Sequence, residues 1–468
     1  VASDAHAASV SRPSGIGGRL AALTPSGQAR VPIAWALYDF ANTIYSYAVV
    51  SYAMGLWTVD RLGPADGQLW FGVANAVSVG INALVSPVLG AMSDRGGRRL
   101  PYLLFFTAQC VIFVSGIGLL GSSNSFAFLG LAFFTIANFS YQAALIYYDA
   151  TLPTVSLPSS RGRVSGIGVA IGYVGTITIA ILLLVFSGLD VITSGSQPLV
   201  FFLAAALFGM FSVPIFLVVR EARTSDYRFR LADALGSWSQ LGTTIRHASE
   251  VPGLLRFLVG RFFYTDPVNT VIVVMAVFAT EAIGLTDMQA NLVLLALTIV
   301  AVFASFGWGI SVERIGPKRT LMIVLGSWCV GILIAGAVLS LPTFLIAGAL
   351  LGSGLGGVWT SDRVLMLRLS PPDRVGEFFG LYGLAGKFSA VTGPLLYGFI
   401  VKTLLDAGWG DAAYQAGIFS FLILMVIGVL LLRGVPEPPA EGLVGSAGPI
   451  APPEHLLPSS DTPGPARH

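Results

Sequence analysis

Asp39, Asn42, Thr43 and Ser46 lie inside an apolar run, Ile33 to Trp57, that is long enough to cross a bilayer. An ionisable side chain at the bilayer centre costs about 2.5 to 3.5 kcal/mol on insertion scales, so such an acid implies a partner, a cavity or a transport role. The four positions follow i, i+3, i+4 and i+7, which on a helix makes one polar stripe. The pattern returns as Asp266, Asn269 and Thr270, the same Asp-x-x-Asn-Thr in a second apolar run. Two chemistries are open to carboxylates so placed. Desolvation favours the neutral, proton-bearing acid, whereas a nearby cation holds the ionised form in a fixed pair. Lys387 is the candidate cation, too deep in its own apolar run to reach the interface easily. Arg261 lies nearer a run's end and is expected to snorkel. Asn138, Tyr141 and Gln142 share a face of another run. Asp39, Asn42, Asn138, Tyr141, Gln142, Asp266, Asn269 and Lys387 are therefore the expected lining of a central substrate and coupling cavity, with Asp39 and Asp266 facing each other.

The elements that must hold these residues are membrane helices. Of 468 residues 54% are hydrophobic and 11% charged, with mean hydropathy +0.79, far too apolar for a soluble domain. A net charge of +2 excludes a nucleic-acid footprint. Two cysteines, Cys110 and Cys329, and 4 scattered His argue against a disulfide framework or a metal centre, and nothing calls for a cofactor. Arg outnumbers Lys heavily, and Ala, Gly and Pro abound, a bias that points to a high-GC bacterial genome. The reading is an all-α membrane protein of twelve spans, the first at 33–58 and the last at 413–433. Residues 1–31 read as a disordered cytoplasmic tail, 32–220 as an N-terminal six-helix bundle, 221–252 as a cytoplasmic linker, 253–433 as a C-terminal six-helix bundle and 434–468 as a second disordered cytoplasmic tail. All but four of the 26 Lys and Arg then fall on the side of both termini, which the positive-inside rule makes cytoplasmic.

The halves repeat in parallel. Gly90-Ala91-Met92-Ser93-Asp94-Arg95-Gly96-Gly97-Arg98-Arg99, after span two, is echoed after span eight by Gly309 to Arg319, which carries Glu313, Arg314 and Lys318. Arg163, opening span five, is echoed by Arg374, opening span eleven. Asp149 and Asp362 end spans four and ten. Charges so clustered at helix ends read as a cytoplasmic gate, with Arg95 or Arg98 pairing with Asp149 and Arg314 or Lys318 pairing with Asp362. Asp94 has the chemistry to sit at a helix N-terminus, where the macrodipole favours an anion by roughly 0.3 to 1 kcal/mol.

The Gly-x-x-x-Asp-Arg-x-Gly-Arg-Arg loop and its degenerate copy resemble the signature loop of the major facilitator superfamily. Trp35 to Asn42, Arg161 to Gly168 and Glu377 to Tyr382 look like the branch that contains the fungal autophagy-related vacuolar amino-acid effluxer and its bacterial relatives. The resemblance covers roughly 33–433. It implies two six-helix bundles rocking about a central site lined by helices one, four, seven and ten, and it puts Asp94 at the start of span eleven, near Gly376.

With no Gly-x-x-x-x-Gly-Lys-[Ser/Thr] loop to power an ATP-driven pump, the function expected is secondary active transport. The cargo favoured is a small solute, an amino acid or another zwitterionic or amphiphilic molecule, with protons as a coupling partner. No paired His, nucleophile elbow or metal spacing marks an enzyme. The competing class is a non-transporting membrane sensor or scaffold on the same fold. The expected setting is a bacterial inner membrane, with the chain acting as a monomer in the lipid bilayer.

Overall fold

The computed structural model describes residues 15–121, 123–189, 197–221 and 238–437, and all secondary structure among them is helical. The long helices are α1 (Arg30–Tyr45), α2 (Pro64–Gly96), α3 (Leu100–Leu119), α4 (Ala127–Ala150), α5 (Arg161–Gly188), α6 (Gln197–Val218), α7 (Leu254–Val277), α8 (Asp287–Ile315), α9 (Pro317–Ala337), α10 (Leu341–Leu369), α11 (Val375–Asp406) and α12 (Asp411–Arg433). α1 runs on through a π-helical segment, Ser46–Ala53, into the helix Met54–Leu62, and α7 through a π-helical Phe278–Ala282. Such segments recur at functional sites.

Among the described residues nine helices are long and apolar enough to cross a membrane. α1, α7 and α11 carry Asp39, Asn42, Arg261, Asp266 and Lys387. Elsewhere Leu104, Phe105 and Ile112 on α3, Leu184 on α5, Phe303 on α8 and Ile423 on α12 stand exposed, a surface suited to hydrocarbon and not to water.

α1 packs on α5 and α6, α3 on α4 and α6, α7 on α11 and α12, and α9 on α10 and α12. Two of the most extensive helix pairings run between early and late parts of the chain: α2 with α11, and α5 with α8. Both are glycine seams. A Cβ at Gly162 would stand 2.6 Å from the Gly309 carbonyl oxygen, and one at Gly376 would stand 2.5 Å from that of Gly90. Tight corners set the register. Gly63 (φ 87°) and Gly316 (φ 89°) take a backbone shape that only glycine adopts freely, and each is followed by a proline at the first helical position.

The segments expected to be unstructured are partly ordered. Gly15–Ala21 is helical, and Leu23 is buried with its carbonyl accepting from Ser160 Oγ at 2.5 Å. The linker holds the helix Trp238–Glu250, whose His247 meets Glu377 at 3.3 Å. Val435 is buried and Pro436 lies against Gly253. Apolar side chains in these stretches find cover at the helix ends, which composition alone does not reveal.

Candidate functional site

The Trp35-to-Asn42 stretch is a docking surface before it is a site. Trp35 Nε1 donates to Thr151 Oγ1 (3.1 Å), Tyr148 Oη donates to the Trp35 carbonyl (3.2 Å), and the two rings stack at 4.6 Å. Tyr38 shares a hydrogen bond with Thr107 on α3 (2.6 Å). These contacts fix α1 against α4 and bring Asp39 and Asp149 to one place.

What joins them is Arg363 of α10, a residue the sequence reading passed over. Its Nη1 reaches Asp149 Oδ1 at 3.3 Å and its Nη2 reaches Asp39 Oδ2 at 3.6 Å. Nε donates to Ser165 Oγ (2.6 Å) and Nη2 to the Ser165 carbonyl (3.1 Å) on α5, while the guanidinium carbon lies 5.0 Å from the Trp35 ring centre. One planar fork therefore ties α10 to α1, α4 and α5. Ser165 completes the tie by donating to the Thr360 carbonyl.

Several expected pairings are corrected. Asp149 is taken by Arg363, not by Arg98. Arg98 reaches the Glu221 carbonyl at 3.5 Å, and the Arg95 side chain lies outside the described residues. Asp362 pairs with Arg261 of α7 and accepts from Tyr382 Oη (2.7 Å), not from Arg314 or Lys318. Lys318 Nζ donates to the Arg433 carbonyl (3.0 Å), Arg314 is exposed, and Arg374 meets only its neighbour Asp373 at 3.6 Å. Arg261 does not snorkel. It is 3% exposed, with its guanidinium carbon 3.5 Å from the Tyr382 ring centre.

Lys387 binds neither Asp39 nor Asp266. Its ammonium donates to Asn82 Oδ1, to Ser86 Oγ (3.1 Å) and to the Gln142 carbonyl (3.4 Å), all on α2 and α4. Three neutral acceptors satisfy its three donors. Nor are Asp39 and Asp266 brought face to face: Asp39 reaches α10, and Asp266 is buried against Gly393 of α11. Asn269 donates to Ser389 Oγ at 3.3 Å, and Asn138 turns to Asn75 (3.0 Å) and Ser78 (2.7 Å) on α2. Tyr141 packs against Tyr45 with the rings tilted and their centres 4.5 Å apart, and the buried Asn42 amide has no hydrogen-bond partner among the described residues.

At the end of the molecule bearing the α2–α3 and α8–α9 turns, two acids cap helices of the other half. Asp94 accepts from the Gly376 and Glu377 amides at 2.9 and 2.7 Å, and also from Arg99 at 3.2 Å. Glu313 accepts from the Arg163 amide at 3.0 Å and pairs with the Arg163 side chain at 2.5 Å. Orphan amides at a helix start, together with the macrodipole, favour an anion there. Removing the Asp94 cap is worth about 1 kcal/mol. Asp94→Ala is therefore expected to lower the closed-to-open ratio at this end roughly fivefold. Glu313→Ala should do the same at the other seam. The check is the distance between spin labels at Ser159→Cys and Asp373→Cys, both exposed on this end, in a chain whose own cysteines are replaced. An unshifted distribution in both variants would remove the caps from the closure.

Buried ion pairs, amide caps and glycine seams thus join two sets of membrane helices, in a fold shared with transporters of the major facilitator class. Solved structures of that class share the fold. The human organic anion transporter MFSD10 (TETRAN) superposes with TM-score 0.68 at 17% identity, over 86% of this chain and 99% of that one. The major facilitator superfamily proton:xylose symporter XylE, bound to 6-bromo-6-deoxy-D-glucose, gives 0.65 at 13% identity over 86% and 93%. The chain belongs to the family described as "Vacuole effluxer Atg22 like", whose profile matches residues 71–161 and 156–440. A Bacillus subtilis (strain 168) protein described as the uncharacterized MFS-type transporter YxiO is 28% identical over 414 residues, 86% of this chain and 94% of that one. Autophagy-related protein 22 of Coccidioides immitis is 24% identical over 312 residues, 61% of this chain and 51% of the fungal one. The protein is thus a multi-pass membrane transporter of the Atg22-like branch.

Proposed function

We propose that the protein is a secondary active transporter that moves a small solute by alternating access. Its twelve helices form two six-helix units, α1–α6 and α7–α12, rocking about the seams α2/α11 and α5/α8. Both termini are cytoplasmic in a bacterial inner membrane, so the capped end is the cytoplasmic one and the conformation is closed to the cytoplasm. The observation that carries this reading is Arg363: a cation from one unit held by Asp39, Asp149 and Ser165 of the other is a lock that must be broken before this end opens.

The cargo favoured is an amino acid or another zwitterionic or amphiphilic solute. Lys387 supports it, since its side-chain nitrogen is held by neutral oxygens and by no carboxylate among the described residues, and so is left to meet a carboxylate once the units part. The organic anion in the name of MFSD10 fits the same charge, and the proton:xylose coupling named for XylE fits protons as the driving ion. A single chain suffices for this cycle. The test is a thermal-shift screen of purified protein against amino acids, peptides, sugars and drugs, followed by counterflow in proteoliposomes with whatever stabilises it. Amino acids are expected to stabilise the protein and to exchange. Stabilisation without exchange would favour a membrane sensor or scaffold on the same fold.

A further inference from the structure

The two Asp-x-x-Asn-Thr motifs share a spacing but not an environment. Asp39 has Arg363. Asp266 is 1% exposed, no cation meets its carboxylate among the described residues, and the only hydrogen-bond donor beside it there is the Gly393 main-chain amide. α11 closes over it so tightly that a Cβ at Gly393 would stand 2.7 Å from Asp266 Oδ2. The polar groups beside it are committed elsewhere. Thr270 Oγ1 donates to the main-chain carbonyl of Asp266 (2.8 Å), Thr265 Oγ1 to that of Arg261 (2.7 Å), and Asn269 to Ser389.

Among the described residues the charged groups of the neighbouring helices have other partners or stand near helix ends, and the Glu281 side chain lies outside the described residues. On α7, Arg261 belongs to Asp362. On α11, Lys387 turns to α2 and α4. α12 packs Gly428 on Tyr264, whose own hydroxyl is unpartnered, and its charged residues stand at its ends, Asp411 and Arg433. α10 brings Asp362 and Arg363, both engaged, with Arg368 a turn and a half further on, and the charges of α8, Asp287, Glu313 and Arg314, sit in its end turns.

The repeat explains the difference. With Asp39 set against Asp266 and Asp149 against Asp362, the position of Arg363 falls on Ala150. The arginine that neutralises the first acid has no counterpart for the second.

An ionised carboxylate buried in a seam with no cation and at most one main-chain amide is the costly arrangement that buried acids avoid by neutralising. We propose that Asp266 is a proton-binding site: in this closed conformation it is held as the neutral acid between α7 and α11, and it gives its proton to water when the seam parts. One proton then binds per closure and leaves per opening. Because the proton is bound in the closed state, low pH favours closure, and raising the pH through the site's titration favours opening. Its role as the coupling site rests on the transporter reading above, whereas the proton occupancy does not.

The experiment is infrared difference spectroscopy on the purified full chain at neutral pH, in H2O and D2O, following the carbonyl stretch of protonated carboxyl groups. Carboxyl-13C aspartate in the unsubstituted chain should shift a deuterium-sensitive acid band. That band should vanish in Asp266→Asn and survive in Asp39→Asn. Its survival in Asp266→Asn, or a wild-type chain with no isotope-shifted acid band, overturns the assignment. In parallel the Ser159 to Asp373 label distance should respond to pH in the parent and lose that response in Asp266→Asn, whereas a retained response overturns the coupling role. A chain that shows the band but exchanges no solute would sink the transporter reading and leave the proton site standing.

Discussion

Arg363→Met is expected to empty the closed state. The substitution leaves Asp39 and Asp149, both only partly exposed, side by side without the cation that joins them, and it strands Ser165. Removing one partner of a buried ion pair costs about 3 to 5 kcal/mol, hence a loss of roughly a hundredfold to a few thousandfold in the closed-to-open ratio. The Ser159 to Asp373 label pair should move from a short to a long distance. Arg363→Lys should recover little, because a point charge cannot face Asp39, Asp149 and the Ser165 oxygens together as the planar fork does. Arg363→Met combined with Asp39→Asn and Asp149→Asn should recover much of the closure, since no bare charge then remains. A short distance persisting in Arg363→Met alone would show that the lock is dispensable.

The span pattern, the parallel repeat and the capping role of Asp94 are legible because each depends on local composition: apolar length, loop charge, and an acid four residues into a glycine-rich turn. Partner choice is not local. Asp362 and Arg363 are neighbours in sequence, yet on a helix they point about 100° apart. One therefore faces Arg261 and Tyr382 of its own half, while the other crosses to Asp39 and Asp149. Pairing Asp362 with Arg314 or Lys318 matched charge by loop and ignored that Arg261 of α7 reaches it from within the bundle. Lys387 misled for a related reason: an ammonium deep in an apolar run suggests a carboxylate, but Asn82, Ser86 and the Gln142 carbonyl meet its needs from helices distant in sequence. The Asp-Arg pair inside span ten was the available signal for the lock, since adjacent side chains on an α-helix face different sides and so call for separate partners.

Gly90→Val should break the seam by backbone exclusion alone, with no charge altered. A Cβ at Gly90 would overlap the carbonyl oxygen of Gly376, which is main chain and cannot turn aside as a side chain would. Gly380 is equally close to the Ser86 carbonyl one turn further along, so α2 and α11 cannot absorb the methyl groups by sliding. The strain of overpacking is about 1 to 3 kcal/mol. Separation of the helices also removes the amide cap on Asp94 and draws Lys387 from Asn82 and Ser86. Together these effects approach the roughly 5.5 kcal/mol that carries a two-state equilibrium from one side to the other. Gly80→Val is the control. It lies on the same helix, α2, with nothing within 4 Å of its would-be Cβ. Both substitutions replace the same helical residue type, so their effects on intrinsic helix propensity are alike. The label pair should report an open end in Gly90→Val and an unchanged one in Gly80→Val. If both variants stay closed, the α2/α11 contact yields to a side chain, and closure rests on Arg363 and not on the glycine seam.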